Sequence, residues 1–337
     1  MKSSIKGIAR DEFPPIISTF LSFFIRLIYV KFGLLESYRI LIRALLIKIR
    51  ALEIRINRYR FRNLTSAPFL SGDAIADLVE YCPLGKNGEK TQPDLELLKQ
   101  AQSIFLPAHL LEEFLAQYEE VIVAPVVVTG NSDQNFFKIP SFPSSTLVWI
   151  GQNIAISGSD ASLLEIHTLP IGLENLALGR SGNTKYFDVK DACVLNKVFV
   201  PPMAPSNPVR QYVLGTISNS SGSFEVYSKY LHQKAYFRLV SKYRFVLCLE
   251  GNGFENHRIW ETLYRNCFPV MFRTAWSETL RKLNLPIFYI DHLDDCTIEA
   301  LSAFEMRNAN FLAINHQELW TPYWADLIKS GENLERS

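Results

Sequence analysis

Apolar positions in this chain fall into short unbroken runs that end in glycine, asparagine or proline. Phe245–Leu249 ends in Glu250-Gly251-Asn252-Gly253, and Val121–Thr129 ends in Gly130-Asn131-Ser132-Asp133. Leu147–Ile150 precedes Gly151-Gln152-Asn153, and Glu165–Leu169 precedes a loop carrying Glu174 and Asn175. Runs of this length between turn residues predict buried strands. Gln211–Thr216, Cys267–Phe272 and Ile287–Ile290 have the same character. Between them lie segments of helical pattern. Ser71 leads one as far as Tyr81, and Asp94–Tyr118 is a second, broken at Pro107. Phe224–Ser241, Ala275–Leu283, Asp294–Ala309 and Gln317–Lys329 follow. Asn256 can cap a further helix carrying His257, Arg258, Trp260, Glu261 and Tyr264. Strands alternating with helices predict an α/β protein with parallel, doubly wound sheets.

The first 62 residues differ. Phe13–Leu35 is strongly apolar but is interrupted by Arg26 and Lys31 and preceded by Pro14-Pro15, so it makes at best a weak single transmembrane span. Within Glu36–Arg62, Leu41, Ile42, Leu45, Ile49, Leu52 and Ile56 form a stripe at helical spacing, with arginines and lysines round the rest. That pattern suits a helix lying on an anionic membrane surface, on the cytoplasmic side and peripherally bound; packing on the body or on a partner helix is the alternative. No aromatic residues interleave the charges as a nucleic-acid platform would need.

Charge strengthens the division. Of the 35 basic and 34 acidic residues, the arm holds 13 basic and 4 acidic, leaving 22 basic and 30 acidic in the body. The proline-rich stretch Asn196–Pro208 suits a linker. The expected organisation is therefore an arm (1–62), a first domain (63–205) and a second domain (206–337). Five scattered cysteines without a CxxC fit reduced, buried side chains rather than a zinc centre.

Candidate chemistry collects at the ends of the strand runs. Ligands of open α/β sheets bind outside the carboxyl ends of the strands, so Asn131, Asp133, Asn153, Glu174 and Asn175 are candidates to converge on one crevice. The plainer alternative is that they are turn residues. Around Gly251 and Gly253 there is no GxGxxG; elsewhere there is no Walker A sequence and no GxSxG elbow. A helix N-terminus with His257 and Arg258 remains, suited to a diphosphate, and Glu261 is suited to two ribose hydroxyls. Alternatively, Arg258 and Glu261 are a surface pair on one helix.

Arg244–Phe272 resembles the donor segment of exostosin-like glycosyltransferases: a strand, a glycine turn, His-Arg-aromatic-Glu-x-Leu-Tyr, and a strand with a Pro-Val pair. Segments at 126–136, 148–153 and 169–180, with Asn207 and Arg210, agree with it. The resemblance implies a GT-B fold, two Rossmann-like domains facing a cleft. It also implies transfer from a nucleotide-sugar, with no cofactor or obligatory metal, to a glycan, lipid-linked or protein acceptor. It assigns Arg210, Gly251, Asn252, Gly253, His257, Arg258 and Glu261 to the donor. It makes Asp133 and Glu174 candidates for the general base, and Asn131, Asn153 and Asn175 candidates for the acceptor. Glu250 and Arg258 stand where a Glu-x7-Glu motif would need two glutamates, so that motif is absent. The rival expectation is a non-catalytic glycan- or membrane-binding protein on the same fold.

Overall fold

A computed structural model describes residues 66–90, 92–156, 164–178, 182–187, 195–204, 206–217, 222–229, 231 and 233–334, with positions 44, 45, 47–49 and 52 of the arm. The chain divides into two compact units, Met1–Leu64 with Ala177–Gly179, and Thr65–Leu176 with Arg180–Ser337. Of the arm, the six described positions are helical, and Leu45 and Leu52 are exposed. The expected apolar run 13–35 lies outside the described residues. Among the described residues no helix is long and apolar enough to cross a membrane.

The second unit carries two parallel sheets. The first contains β1 (Ser103–Pro107), β2 (Val126–Gly130), β3 (Val148–Gly151) and β4 (Glu165–Thr168), in that order. Around it lie α1 (Gly72–Ala76), α2 (Leu95–Leu98) and α3 (Leu111–Tyr118). Its central strands are buried on both faces, and alternate side chains enter opposite cores. Ile104, Leu106, Val127 and Trp149 pack with Leu111 and Phe114 of α3. Phe105, Val126, Val128, Val148 and Ile150 pack on the other side with Leu70 and Ile75.

The second sheet contains β5 (Leu195–Val200), β6 (Phe224–Val226), β7 (Tyr243–Leu247), β8 (Phe268–Phe272) and β9 (Phe288–Ile290). Its order is β6-β5-β7-β8-β9, all parallel. The chain passes from β5 to one side and then returns to the other, so the winding reverses between β5 and β7. The helices here are α4 (Pro208–Ile217), α5 (Gln233–Val240), α6 (His257–Tyr264), α7 (Ala275–Leu280) and α8 (Ile298–Arg307). The last, α9 (Thr321–Glu332), returns to the first sheet, where Trp324 and Ile328 join Phe105, Val126 and Val148.

Four expectations are corrected. Part of the expected helix Asp94–Tyr118 is β1: Ser103–Pro107 is buried throughout, and pairing with β2 outweighs its weak helical preference. The expected linker begins with β5, which is paired between β6 and β7. The expected strand Gln211–Thr216 is inside α4. Asn207 accepts from the Arg210 backbone N–H at 2.9 Å, and Pro208 opens the helix with its preset φ, so the start signals override the strand-like Tyr-Val-Leu run. Phe224–Ser241 is not one helix, because Phe224–Val226 pairs with β5 as an edge strand before α5 begins.

Candidate functional site

The reversal between β5 and β7 is the topological switch point of the second sheet, where α/β sheets open a crevice for ligands. The segments leaving these two strands meet there. After β5, Asn207 donates through Nδ2 to the carbonyls of Glu250 (3.0 Å) and Gly251 (2.7 Å). Arg210 donates through Nε to the Glu250 carbonyl at 2.7 Å and through Nη2 to that of Leu249 at 3.3 Å. Asn256 caps α6, its Oδ1 accepting from the Arg258 backbone N–H and its Nδ2 donating to the Leu249 carbonyl at 2.6 Å. The backbone of Leu249–Gly251 is thus held by side chains from both flanking segments. Arg210 acts as a brace for that backbone.

Arg258 is spent differently. Its Nε donates to the Tyr236 hydroxyl at 3.2 Å, and its terminal nitrogens have no hydrogen-bond partner among the described residues. Burial pulls its pKa down, but contacts with Tyr236, Cys248 and Glu261 outweigh that and the net direction is upward. Burial also pushes the Tyr236 phenol up to about 12, so it stays protonated. One turn on, Glu261 is only 7% exposed, yet its carboxylate has neither a hydrogen bond nor an ion pair among the described residues. The expected surface pair between Arg258 and Glu261 does not form, although each lies in the other's field. Most of the Glu261 side chain is covered, while its unpaired carboxylate oxygens reach the surface. Together the two residues offer a guanidinium fork and a carboxylate to something outside the chain.

The strand-end polar residues of the first sheet go largely to one another and to the second sheet. Asn131, in the left-handed region at φ 52°, donates to the Lys86 carbonyl at 2.8 Å and accepts from Asn175 at 3.1 Å. Asn175 accepts in turn from the Asp73 backbone N–H at 2.9 Å. Gly72 gives this cluster room, since a Cβ there would sit 1.5 Å from the side-chain Oδ1 of Asn131. Asn153, at φ 55°, accepts from the Glu255 backbone N–H at 3.0 Å and donates to the Ser132 carbonyl. Glu174 is buried. Asp133 accepts from Asn252 at 3.2 Å on the exposed rim.

Within the glycine turn, Gly253 is buried against the first sheet, whereas Gly251 is half-buried and Asn252 is exposed. A Cβ on Gly253 would come 3.2 Å from Asn153 and from the Asp133 carbonyl. His257 bonds the Gly172 carbonyl through Nδ1 at 2.9 Å; a carbonyl only accepts, so Nδ1 carries the proton and the ring ties α6 to the loop after β4. In sum, the structure brings Asp133, Asn153, Asn252, Gly253 and His257 to one seam joining the carboxyl ends of both sheets. Arg258 and Glu261 stand beside α5, and Asn131 with Asn175 forms a separate cluster.

Sequence reasoning missed Glu255, Tyr236 and the side chain of Glu250. Glu255 is 5% exposed; its Oε1 accepts from the Ile171 backbone N–H and the Trp260 indole, while Oε2 is buried without a partner. Burial lifts its pKa to about 8. The signal for it was slight, a carboxylate just ahead of a helix cap. Glu250 lies beside a cavity of about 420 Å³. Its pKa is raised by burial, opposed by a hydrogen bond with Thr274. Among the described residues no group of three His, Cys, Asp or Glu side chains is arranged to hold a metal ion.

No protein-family model and no curated protein matches the chain. Among solved structures, one of T4 phage beta-glucosyltransferase is similar to it with a TM-score of 0.34 and 12% identity, over 77% of this chain and 92% of that one. A likeness of that size assigns no function. The chain itself presents two parallel α/β sheets joined at their carboxyl ends, with Arg258 and Glu261 on the helix after the switch-point strand keeping hydrogen-bonding capacity unused among the described residues.

Proposed function

We propose that this protein is a glycosyltransferase that takes a sugar from a nucleotide-sugar donor. The observation that carries the proposal is the placement of Arg258 and Glu261: a guanidinium whose terminal nitrogens have no partner among the described residues, and one helical turn away a carboxylate that is likewise unpaired there and reaches the surface. A nucleoside diphosphate has both complements. Its phosphates accept from the guanidinium, and its ribose hydroxyls donate to the carboxylate. The switch-point location supports the same ligand class. The braced carbonyls of Leu249–Gly251 keep the backbone beside the donor rigid.

In the reaction, an acceptor hydroxyl forms a bond to the anomeric carbon as the bond from that carbon to the diphosphate oxygen breaks. The nucleoside diphosphate leaves with the bonding electrons, and the hydroxyl proton passes to a base. Asp133 is the candidate base because its carboxylate stands on the exposed rim of the seam. Glu174, the other candidate, is buried. The acceptor is a glycan or a lipid-linked or protein-linked chain, reached from the side of the first sheet. Residues 1–62 are proposed to rest on anionic lipid, which flotation of that segment with charged and neutral vesicles tests.

Titration calorimetry with UDP, GDP, ADP and CDP tests the donor assignment. At least one should bind, and Arg258→Ala should weaken it about tenfold or more, the loss of a charge-assisted hydrogen bond. Binding of none of the four, or full affinity in Arg258→Ala, refutes it. Binding without transfer to any glycan acceptor would instead favour a non-catalytic binding protein on this fold.

A further inference from the structure

The cavity of about 420 Å³ lies at the carboxyl ends of β7 and β8, under the first turns of α4. Its walls are almost wholly apolar, with Val209, Phe272 and Trp276 among them. Tyr212 stands at its side with 70% of its surface exposed, a large aromatic ring left in water. One polar feature breaks the apolar lining, the half-buried Glu250 carboxyl beside Thr274. Arg210 grips the backbone carbonyl of the same Glu250, so the cavity adjoins the braced segment and the switch point.

Cys248 lines the cavity and also lies within the electrostatic reach of Arg258 and Glu261, and an apolar slot so placed suits two kinds of ligand, a lipid phosphate or a nucleotide with a flat heteroaromatic ring. Glu250 decides between them. An alkyl chain would leave its carboxyl desolvated with nothing gained, whereas a nucleobase has N–H groups on its edge that a carboxyl accepts. The volume is within the range of small-ligand sites, and an exposed tyrosine at the rim gives a face for stacking.

We infer that this cavity receives the nucleobase of the donor, that Glu250 reads its hydrogen-bonding edge, and that Tyr212 stacks on its face. The inference deepens the donor assignment above and rests on it. Glu250 is then a specificity-determining residue rather than a catalytic one. The burial that raises its pKa also strengthens each hydrogen bond it makes and penalises a base that leaves it unpaired.

The same calorimetry, run on Glu250→Gln, Glu250→Ala and Tyr212→Ala beside Arg258→Ala, separates the two claims. The wild type should favour one base by about tenfold or more. Glu250→Ala should bring the four nucleotides to within about threefold of one another, and Glu250→Gln should change their order. Tyr212→Ala should weaken all four by about five- to tenfold. Arg258→Ala should weaken all four alike and leave the preference unchanged. Wild-type preference surviving in both Glu250 variants overturns this inference and leaves the donor assignment standing. Binding of no nucleotide overturns both, and tight binding of farnesyl diphosphate in that case gives the cavity to a lipid phosphate. Circular dichroism of each variant shows whether it is folded.

Discussion

Glu255 is a carboxyl whose pKa burial has lifted to about 8, and its effect on stability has a definite sign. An unfolded chain releases this proton near the ordinary glutamate value, while the folded chain keeps it until about pH 8. Between those limits the folded state binds the extra proton, so this group's contribution to stability is full at low pH and is lost as pH rises. The slope is at most about 1.4 kcal/mol per pH unit. Glu255→Gln, which keeps an oxygen for Ile171 and Trp260, should flatten the fall in melting temperature between about pH 5 and 8. An unchanged profile would show that the carboxyl is ionised in the folded protein. Arg258 and Glu261 are the other residues whose chemistry stands out at this scale. Glu261→Gln should lower nucleotide affinity without lowering the melting temperature, because the native carboxylate has no partner to lose among the described residues. A drop in melting temperature with unchanged affinity would make it structural.

At the scale of elements, Asn207 does two things. Its Oδ1 caps α4 and its Nδ2 grips two carbonyls after β7. Asn207→Ala should cost about 1–2 kcal/mol in urea denaturation, mostly from the cap. Asn207→Asp keeps the capping oxygen and removes the grip, and should therefore weaken nucleotide binding more than its smaller loss of stability would suggest. Equal effects of the two variants on both measurements would deny the grip any separate role. The helix α7 shows how an end can be settled locally: Thr274 and Ser277 satisfy each other's backbone N–H groups in a capping box. Strand β1 shows the opposite. The short apolar run Ser-Ile-Phe-Leu-Pro is too brief to settle strand against helical turn by its pattern; the choice is made by the partner strand and by burial on both faces.

For the whole molecule, the terminal helix α9 covers one face of the first sheet although most of its neighbours in sequence belong to the second. Trp324 is 1% exposed and packs in the core with Phe105 and Val126. Gly331 lies so close to β2 that a Cβ would meet Val126 at 2.7 Å. Trp324→Ala should destabilise the protein by about 3–5 kcal/mol, read by denaturant unfolding with probes in both sheets. If only the first sheet responded, the two would unfold independently. Phe254 and Glu255 donate backbone N–H groups to Asn135 and Asn153, and His257 reaches Gly172, so the sheets are also joined by hydrogen bonds at their carboxyl ends.

The fold class was legible because it follows from local patterns: apolar runs of strand length, turn residues after them, and Asn256 ahead of an amphipathic helix. The roles that the resemblance of Arg244–Phe272 assigns to Arg258 and Glu261 are proposals that the nucleotide-binding experiments decide. Tertiary structure decided how the other polar residues are used. Asn131, Asn153 and Asn175 look alike on paper as binding groups, but their amides hold turns and loops together, because backbone groups that leave the regular elements need partners. It also decided that β5 joins the second sheet and α9 the first, since both depend on contacts distant in sequence. The charges of Glu250 and Glu255 were visible from the start; that one lines a cavity and the other is buried in the seam followed only from what surrounds them.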